Sequence, residues 1–214
     1  MAKQETGLTT LEQFLPPNTF GMVIRYFKKY PIHLTLTKER KTVLGDYRPP
    51  TRKDKHHRIS LNINLNKYNF LITLLHELAH LVTWENYRER VSPHGKEWKE
   101  QFRTILLPFI GKKIFPMSLE KALVLYLRNP AASTCTDPGL FKALYKYDKK
   151  KPNYKLIDDL EVGHWFQIED GRVFEKIEQL RTRSLCKELG TRKKYFFPGI
   201  YEVKHVRRDR RLIA

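Results

Sequence analysis

From residue 70 to residue 84 (FLITLLHELAHLVTW) apolar side chains fill most positions, and the polar Thr73, His76, Glu77 and His80 recur at i, i+3, i+4 and i+7. That spacing draws one polar stripe along a helix that is apolar on its other sides, so the segment predicts a helix buried on most of its surface. Residues 59–65 (ISLNINL) alternate cleanly, and 32–37 (IHLTLT) alternate with β-branched residues. Both predict strands, and 42–48 predicts another. Residues 9–14 predict a short helix stopped by Pro16 and Pro17. Asn18 is placed to cap a second helix reaching about Lys29, with Phe20, Val23, Ile24 and Phe27 on its apolar face and Pro31 beyond its end. Asn66 or Asn69 caps the 70–84 helix. Residues 96–107 predict a further helix, with Trp98, Phe102, Ile105 and Leu106 on its buried side, and another spans about 118–127 with Ser118 as cap.

The pattern then changes. The stretch 129–139 (NPAASTCTDPG) is rich in loop formers and marks a boundary, giving domains 1–132 and 133–214. A short helix at 140–147 and a lysine-rich linker precede a β-rich region read as a three-strand meander: a strand at 164–168, one or two strands in 173–189, and a return at 194–206. An Asp170-Gly171 hairpin turn joins the first two, and a basic tail follows at 207–211. The fold class is α+β: helices packed on a small sheet, then a small β-meander.

The polar stripe carries the chemistry. His76 and His80 are four residues apart, so both imidazoles leave the same helix face and can grip one metal ion. Glu77 lies beside that face, within reach of a water on the metal. This His-Glu-x-x-His pattern is that of zinc peptidases, with two zinc-binding histidines and a glutamate general base. A catalytic zinc takes a third protein ligand. His94, between Pro93 and Gly95 at a loop-to-helix junction, is the favoured candidate, and Glu100 on the following helix is its competitor.

His-Glu-Leu-Ala-His at 76–80 followed by His-Gly-Lys-Glu-Trp-Lys at 94–99 resembles the SprT-like (Spartan-type) zinc metallopeptidases. The resemblance implies His76, His80 and His94 as zinc ligands, Glu77 as catalytic base and a role on DNA, since the Spartan branch degrades proteins crosslinked to DNA. The order of helix, strands and metal helix suits a zincin-like lobe whose edge strand binds a substrate peptide through backbone hydrogen bonds. Residues 59–65 are the candidate edge; the other reading makes them an interior strand. Many family members end in a four-ligand zinc ribbon. This chain has two cysteines, Cys135 and Cys186, and His164 and His205 as further nearby candidates, with no Cys-x-x-Cys pair. The C-terminal module therefore reads as a degenerate ribbon with unligated thiols.

With 41 basic and 23 acidic residues the net charge is +18, spread over both regions, which favours a nucleic-acid partner, DNA first. Two cysteines make no disulfide framework. The 70–84 segment is too short and too interrupted to span a bilayer, and the first residues lack the apolar core of a signal peptide. The expected protein is cytoplasmic, with the nucleoid as a place of action, and acts as a zinc endopeptidase on protein substrates. The alternative is a non-enzymatic nucleic-acid-binding module with a structural zinc. The intact Glu77 argues against that alternative, because a closed structural site needs no general base.

Overall fold

The computed structural model describes residues 8–38, 40, 43–131, 137–149 and 151–208. A short α1 (Leu8–Leu11) runs into a 3-10 turn (Glu12–Phe14), followed by α2 (Phe20–Lys29), β1 (Ile32–Thr37), β2 (Gly45–Arg48) and β3 (His57–Asn62). Four helices come next: α3 (Lys67–Tyr87), α4 (Lys96–Leu106), α5 (Met117–Tyr126) and α6 (Pro138–Tyr145). The rest is β-rich: β4 (Tyr154–Leu156), β5 (Trp165–Gln167), β6 (Val173–Gln179), β7 (Arg183–Glu188), β8 (Lys194–Pro198) and β9 (Glu202–Val206). The result is a mixed α+β chain. None of the described helices is long and apolar enough to cross a membrane.

The chain divides into two compact units, Met1–Asp148 and Lys149–Ala214, rather than at the 132/133 boundary expected from the loop-rich stretch. Helix α6 accounts for the shift. It packs on α5, and Leu140, Ala143 and Leu144 join the first unit's core. Asn66, at the head of α3, donates to the Leu144 carbonyl (3.2 Å) and the Asp148 carboxylate (2.6 Å), tying this segment to the first unit.

The first unit is organised by α3. Asn66 caps it, accepting from the backbone N–H groups of Tyr68 (3.1 Å) and Asn69 (3.0 Å). Phe70, Leu71, Ile72, Leu74, Leu75, Leu78, Ala79 and Leu81 are all fully buried, so the helix is wrapped by protein on most sides. Each large apolar side chain so buried contributes about 1.5–3 kcal/mol. Two smaller expectations about caps are corrected. Asn18 takes a left-handed backbone (φ 63°), and Thr19 is the residue before α2, its hydroxyl donating to the Pro16 carbonyl at 2.7 Å. Pro116, not Ser118, precedes α5.

The sheet order is β1-β3-β2, with β1 and β3 parallel and β2 and β3 antiparallel. The predicted edge strand at 59–65 is therefore the central strand, and it is shorter, ending at Asn62. Its alternation arises because one face packs inward, with His57, Ile59 and Leu61 buried, while Arg58 and Ser60 face outward. The free edge beside α3 belongs to β2, whose contacts with α3 are extensive.

The second unit is a six-stranded antiparallel sheet, order β4-β9-β5-β6-β7-β8, not a three-strand meander. The predicted strand at 164–168 is β5; β4 holds three residues, too few for a periodic signal, and 173–189 and 194–206 each contain two strands joined by a turn. The core is Ile157, Leu160, Phe166, Phe174, Cys186 and Val203. Cys186 is a free buried thiol, which burial pushes up to about 12. Cys135 and residues 209–211 of the basic tail lie outside the described residues.

Candidate functional site

Helix α3 and the turn before α4 bring three histidines together. The Nε2 atoms of His76 and His94 are 3.2 Å apart, those of His80 and His76 3.3 Å, and those of His80 and His94 2.9 Å. Ligands held about 2.0–2.1 Å from a tetrahedral ion lie about 3.3–3.4 Å from one another, so these separations fit one metal at the centre. Among the described residues this is the one group of three or more histidine, cysteine or carboxylate side chains so arranged. Glu100, the competing third ligand, is exposed on α4 and takes no part in it.

The local sequence explains the convergence. His76 and His80 stand one turn apart on α3. His94 is delivered by a tight turn in which Gly95 N–H donates to the Ser92 carbonyl at 3.0 Å. Pro93 fixes the first corner, and His94 adopts a left-handed backbone (φ 58°) at the second. A non-glycine residue held there costs energy, and such strain gathers at functional positions. Gly95 then starts α4.

Trp98 forms the floor. Its ring centroid lies 4.6 Å from those of His76 and His94 and 5.3 Å from that of His80, and it stacks on Phe102 at 5.2 Å. Trp98 is fully buried, as a core residue should be, so it also excludes water from one side of the cluster. Burial then sets the charge state. Desolvation, helped by the neighbouring histidines, pushes His76 down to about 2 and His80 down to about 3. Burial and the Lys99 charge also lower His94. All three imidazoles are therefore neutral at physiological pH, the form that binds metal.

Glu77 is 5% exposed. Burial, reinforced by the Asp46 carboxylate and opposed by Arg40, raises its carboxyl to about 8. A cation held by the histidines would pull it back down. The carboxyl fits only because Gly45 faces it from β2: a Cβ there would sit 2.5 Å from Glu77 Oε1 and 2.7 Å from Thr73 Cγ2.

The cleft over the cluster, about 570 Å³, is bounded by Asp46 and Tyr47 on one side and by Arg88 and Ser92 on the other. Tyr47 stacks parallel to His80 with centroids 6.2 Å apart. Its hydroxyl bonds His57 Nδ1 at 2.9 Å, and His57 Nε2 meets Glu85 Oε1 at 3.3 Å. A carboxylate at Nε2 leaves Nδ1 as the acceptor, so the phenol donates. Gly45, Asp46 and Tyr47 carry no motif in sequence; they are found only through the pairing of β2. Tyr87 and Lys96, close to the motif in sequence, do not line the cleft.

Comparison with known proteins agrees with the motif. Residues 20–111 match the SprT-like family. A 31-residue stretch is 55% identical to proteins called SprT from Klebsiella pneumoniae subsp. pneumoniae, Escherichia coli O1:K1 and Escherichia fergusonii. The match covers 14% of this chain and 18% of each of those proteins. No solved structure matches. The part of the chain that is similar to the SprT-like family is thus the α2–α4 region, with the histidine cluster inside it.

Proposed function

We propose that the chain is a zinc-dependent endopeptidase built on a zincin-like lobe. The observation that carries this reading is the meeting of three neutral imidazoles beside a buried carboxyl on the same helix. His76, His80 and His94 would hold the zinc through Nε2. When bound, zinc lowers the pKa of water toward ~7 and polarises a carbonyl. Glu77 accepts the proton from the attacking water at its carboxylate and passes it to the leaving amine. Trp98 and the buried wall of α3 keep other water away.

The substrate is bound as an extended strand on β2. Asn62 N–H donates to the Leu44 carbonyl at 3.0 Å, so the 44/62 pair is a hydrogen-bonded one. Counting along the antiparallel ladder from there turns the N–H and C=O groups of Gly45 and Tyr47 toward the free edge. Backbone pairing of this kind binds unfolded chain with little demand on side chains. The charge of +18 supports proteins associated with DNA as the substrates, and with them a cytoplasmic, nucleoid-associated place of action. The test is cleavage of an unfolded protein by the full chain, with and without DNA. Cleavage should stop on chelation and return with zinc. A zinc-loaded protein that cleaves nothing yet binds DNA with a steep salt dependence would favour a binding module instead.

A further inference from the structure

The face of the first unit's sheet turned away from α3 carries a cavity of about 760 Å³ whose lining includes Arg40, Arg48, Arg58, Asp46, Ser60 and Thr37. Three features separate it from an ordinary solvated sheet face. First, Arg48 lies directly opposite Arg58 in the β2–β3 register, and like charges across a strand pair destabilise the sheet. Second, Arg58 Nε is buried without a hydrogen-bond partner, the Asp54 carboxylate being 3.7 Å away. Third, Arg40 is fixed in place: its Nε donates to Asn62 Oδ1 (2.8 Å), Nη1 to Ser60 Oγ (3.0 Å) and Nη2 to the Ser60 carbonyl (3.3 Å). Asp46, paired with Arg48 at 2.9 Å, is the one carboxylate in the lining. Three guanidiniums against the Asp46 carboxylate in the lining and Asp54 beside Arg58 leave a net cationic groove, suited to carboxylate recognition.

Its position says which carboxylate. Asp46 lines both this groove and the histidine cleft, so the two lie on either side of β2. Gly45 and Tyr47 face α3, while Asp46 and Arg48 face the groove. A chain laid along the β2 edge has the same alternation, so one of its groove-facing side chains comes to lie beside Arg48, with Arg58 behind it on β3, and the next beside Asp46. We propose that this groove selects an acidic side chain at the position of the extended substrate segment that lies beside Arg48. The inference rests on the peptidase reading above and adds to it a substrate preference. A nucleic-acid phosphate shares the chemistry but has no reason to be registered with the strand edge.

The test uses the zinc-loaded full chain and three quenched-fluorescence peptides of the same length. They differ only at the position beside Arg48, which holds Glu, Gln or Lys. The Glu peptide should show kcat/KM about three- to tenfold above the Gln peptide, with the Lys peptide lowest, and the spread should shrink as salt rises. Arg48→Glu should reverse the order, and the milder Arg48→Gln should flatten it. Melting curves and bound zinc verify that each variant is folded. Equal cleavage of all three peptides by the wild type overturns the groove's role and leaves the peptidase reading standing. Cleavage of none overturns both. Weaker binding of a short DNA duplex by Arg48→Glu, with the peptide order unchanged, would assign the groove to phosphate and overturn the proposal.

Discussion

Each unit buries basic nitrogen atoms in an apolar setting, and the two satisfy them in opposite ways. In the second unit the Lys176 side chain, on a residue 2% exposed, donates to the Ile157 carbonyl at 2.9 Å and the Leu160 carbonyl at 2.6 Å. Donors meet backbone acceptors, and the group is settled inside the fold. In the first unit His76, His80 and His94 turn their Nε2 atoms on one another within 2.9–3.3 Å. With the proton of each neutral ring on Nδ1, lone pair faces lone pair, and only a cation among them converts the contact into binding. A buried polar group satisfied by its own chain is architecture. One satisfied only by something added is a site.

Breaking the second arrangement gives the largest effect. His76→Ala, His80→Ala and His94→Ala should each weaken metal binding by more than about 100-fold, read by metal analysis after dialysis, while Glu100→Ala keeps the metal. Lys176→Met should leave metal content unchanged, since its partners lie in the other unit. Retention by His94→Ala with loss in Glu100→Ala would move the third ligand to Glu100.

Gly45→Ala tests the support of the site rather than its ligands. The added methyl collides with Glu77 Oε1 and Thr73 Cγ2, so it should cost about 1–3 kcal/mol in chemical denaturation. Proteolysis should fall while bound zinc stays. Unchanged activity would mean that Glu77 need not sit where Gly45 allows it.

The metal-free protein has a pH signature. Glu77, raised to about 8 from 4.5, binds a proton in the folded state before the unfolded one, so folding gains stability as pH falls from 8. His76 and His80, lowered to about 2 and about 3 from 6.5, stay neutral while the unfolded chain takes up protons, so below 6.5 they subtract stability. Two imidazoles then outweigh one carboxyl, and the cluster's contribution peaks near pH 6.5. Glu77→Gln should remove the gain between pH 8 and 6.5 and keep the acid loss, read as melting temperature against pH.

The smallest effect belongs to the second unit. Cys186→Ser puts a hydroxyl into a fully buried position, where the thiol packs in the apolar core and donates to the Ser184 carbonyl at 3.8 Å. It should cost about 1–3 kcal/mol in denaturation and leave zinc content unchanged. Loss of a metal ion would mean that the second unit binds one.

The ease of reading these features from sequence tracks how local their physics is. Helix α3 and its stripe were legible because 3.6-residue periodicity and the Asn66 cap lie within one segment. His94 was legible through Pro93 and Gly95, which mark a tight turn. The central place of β3 was not, because the alternation of Arg58, Ile59, Ser60 and Leu61 suits any strand with one wet face, and its parallel pairing with β1 is a long-range choice. Gly45 was invisible for the same reason: a lone glycine announces nothing until β2 is laid against Glu77.

The most direct measurement compares wild type with Glu77→Gln for zinc content and for cleavage of one unfolded protein, on the same samples. The substitution keeps shape and the three histidines and removes the proton acceptor. Zinc content should be equal, with proteolysis lower by about 10²–10⁴-fold. A Glu77→Gln protein that holds its zinc and cleaves as fast as wild type would contradict the account.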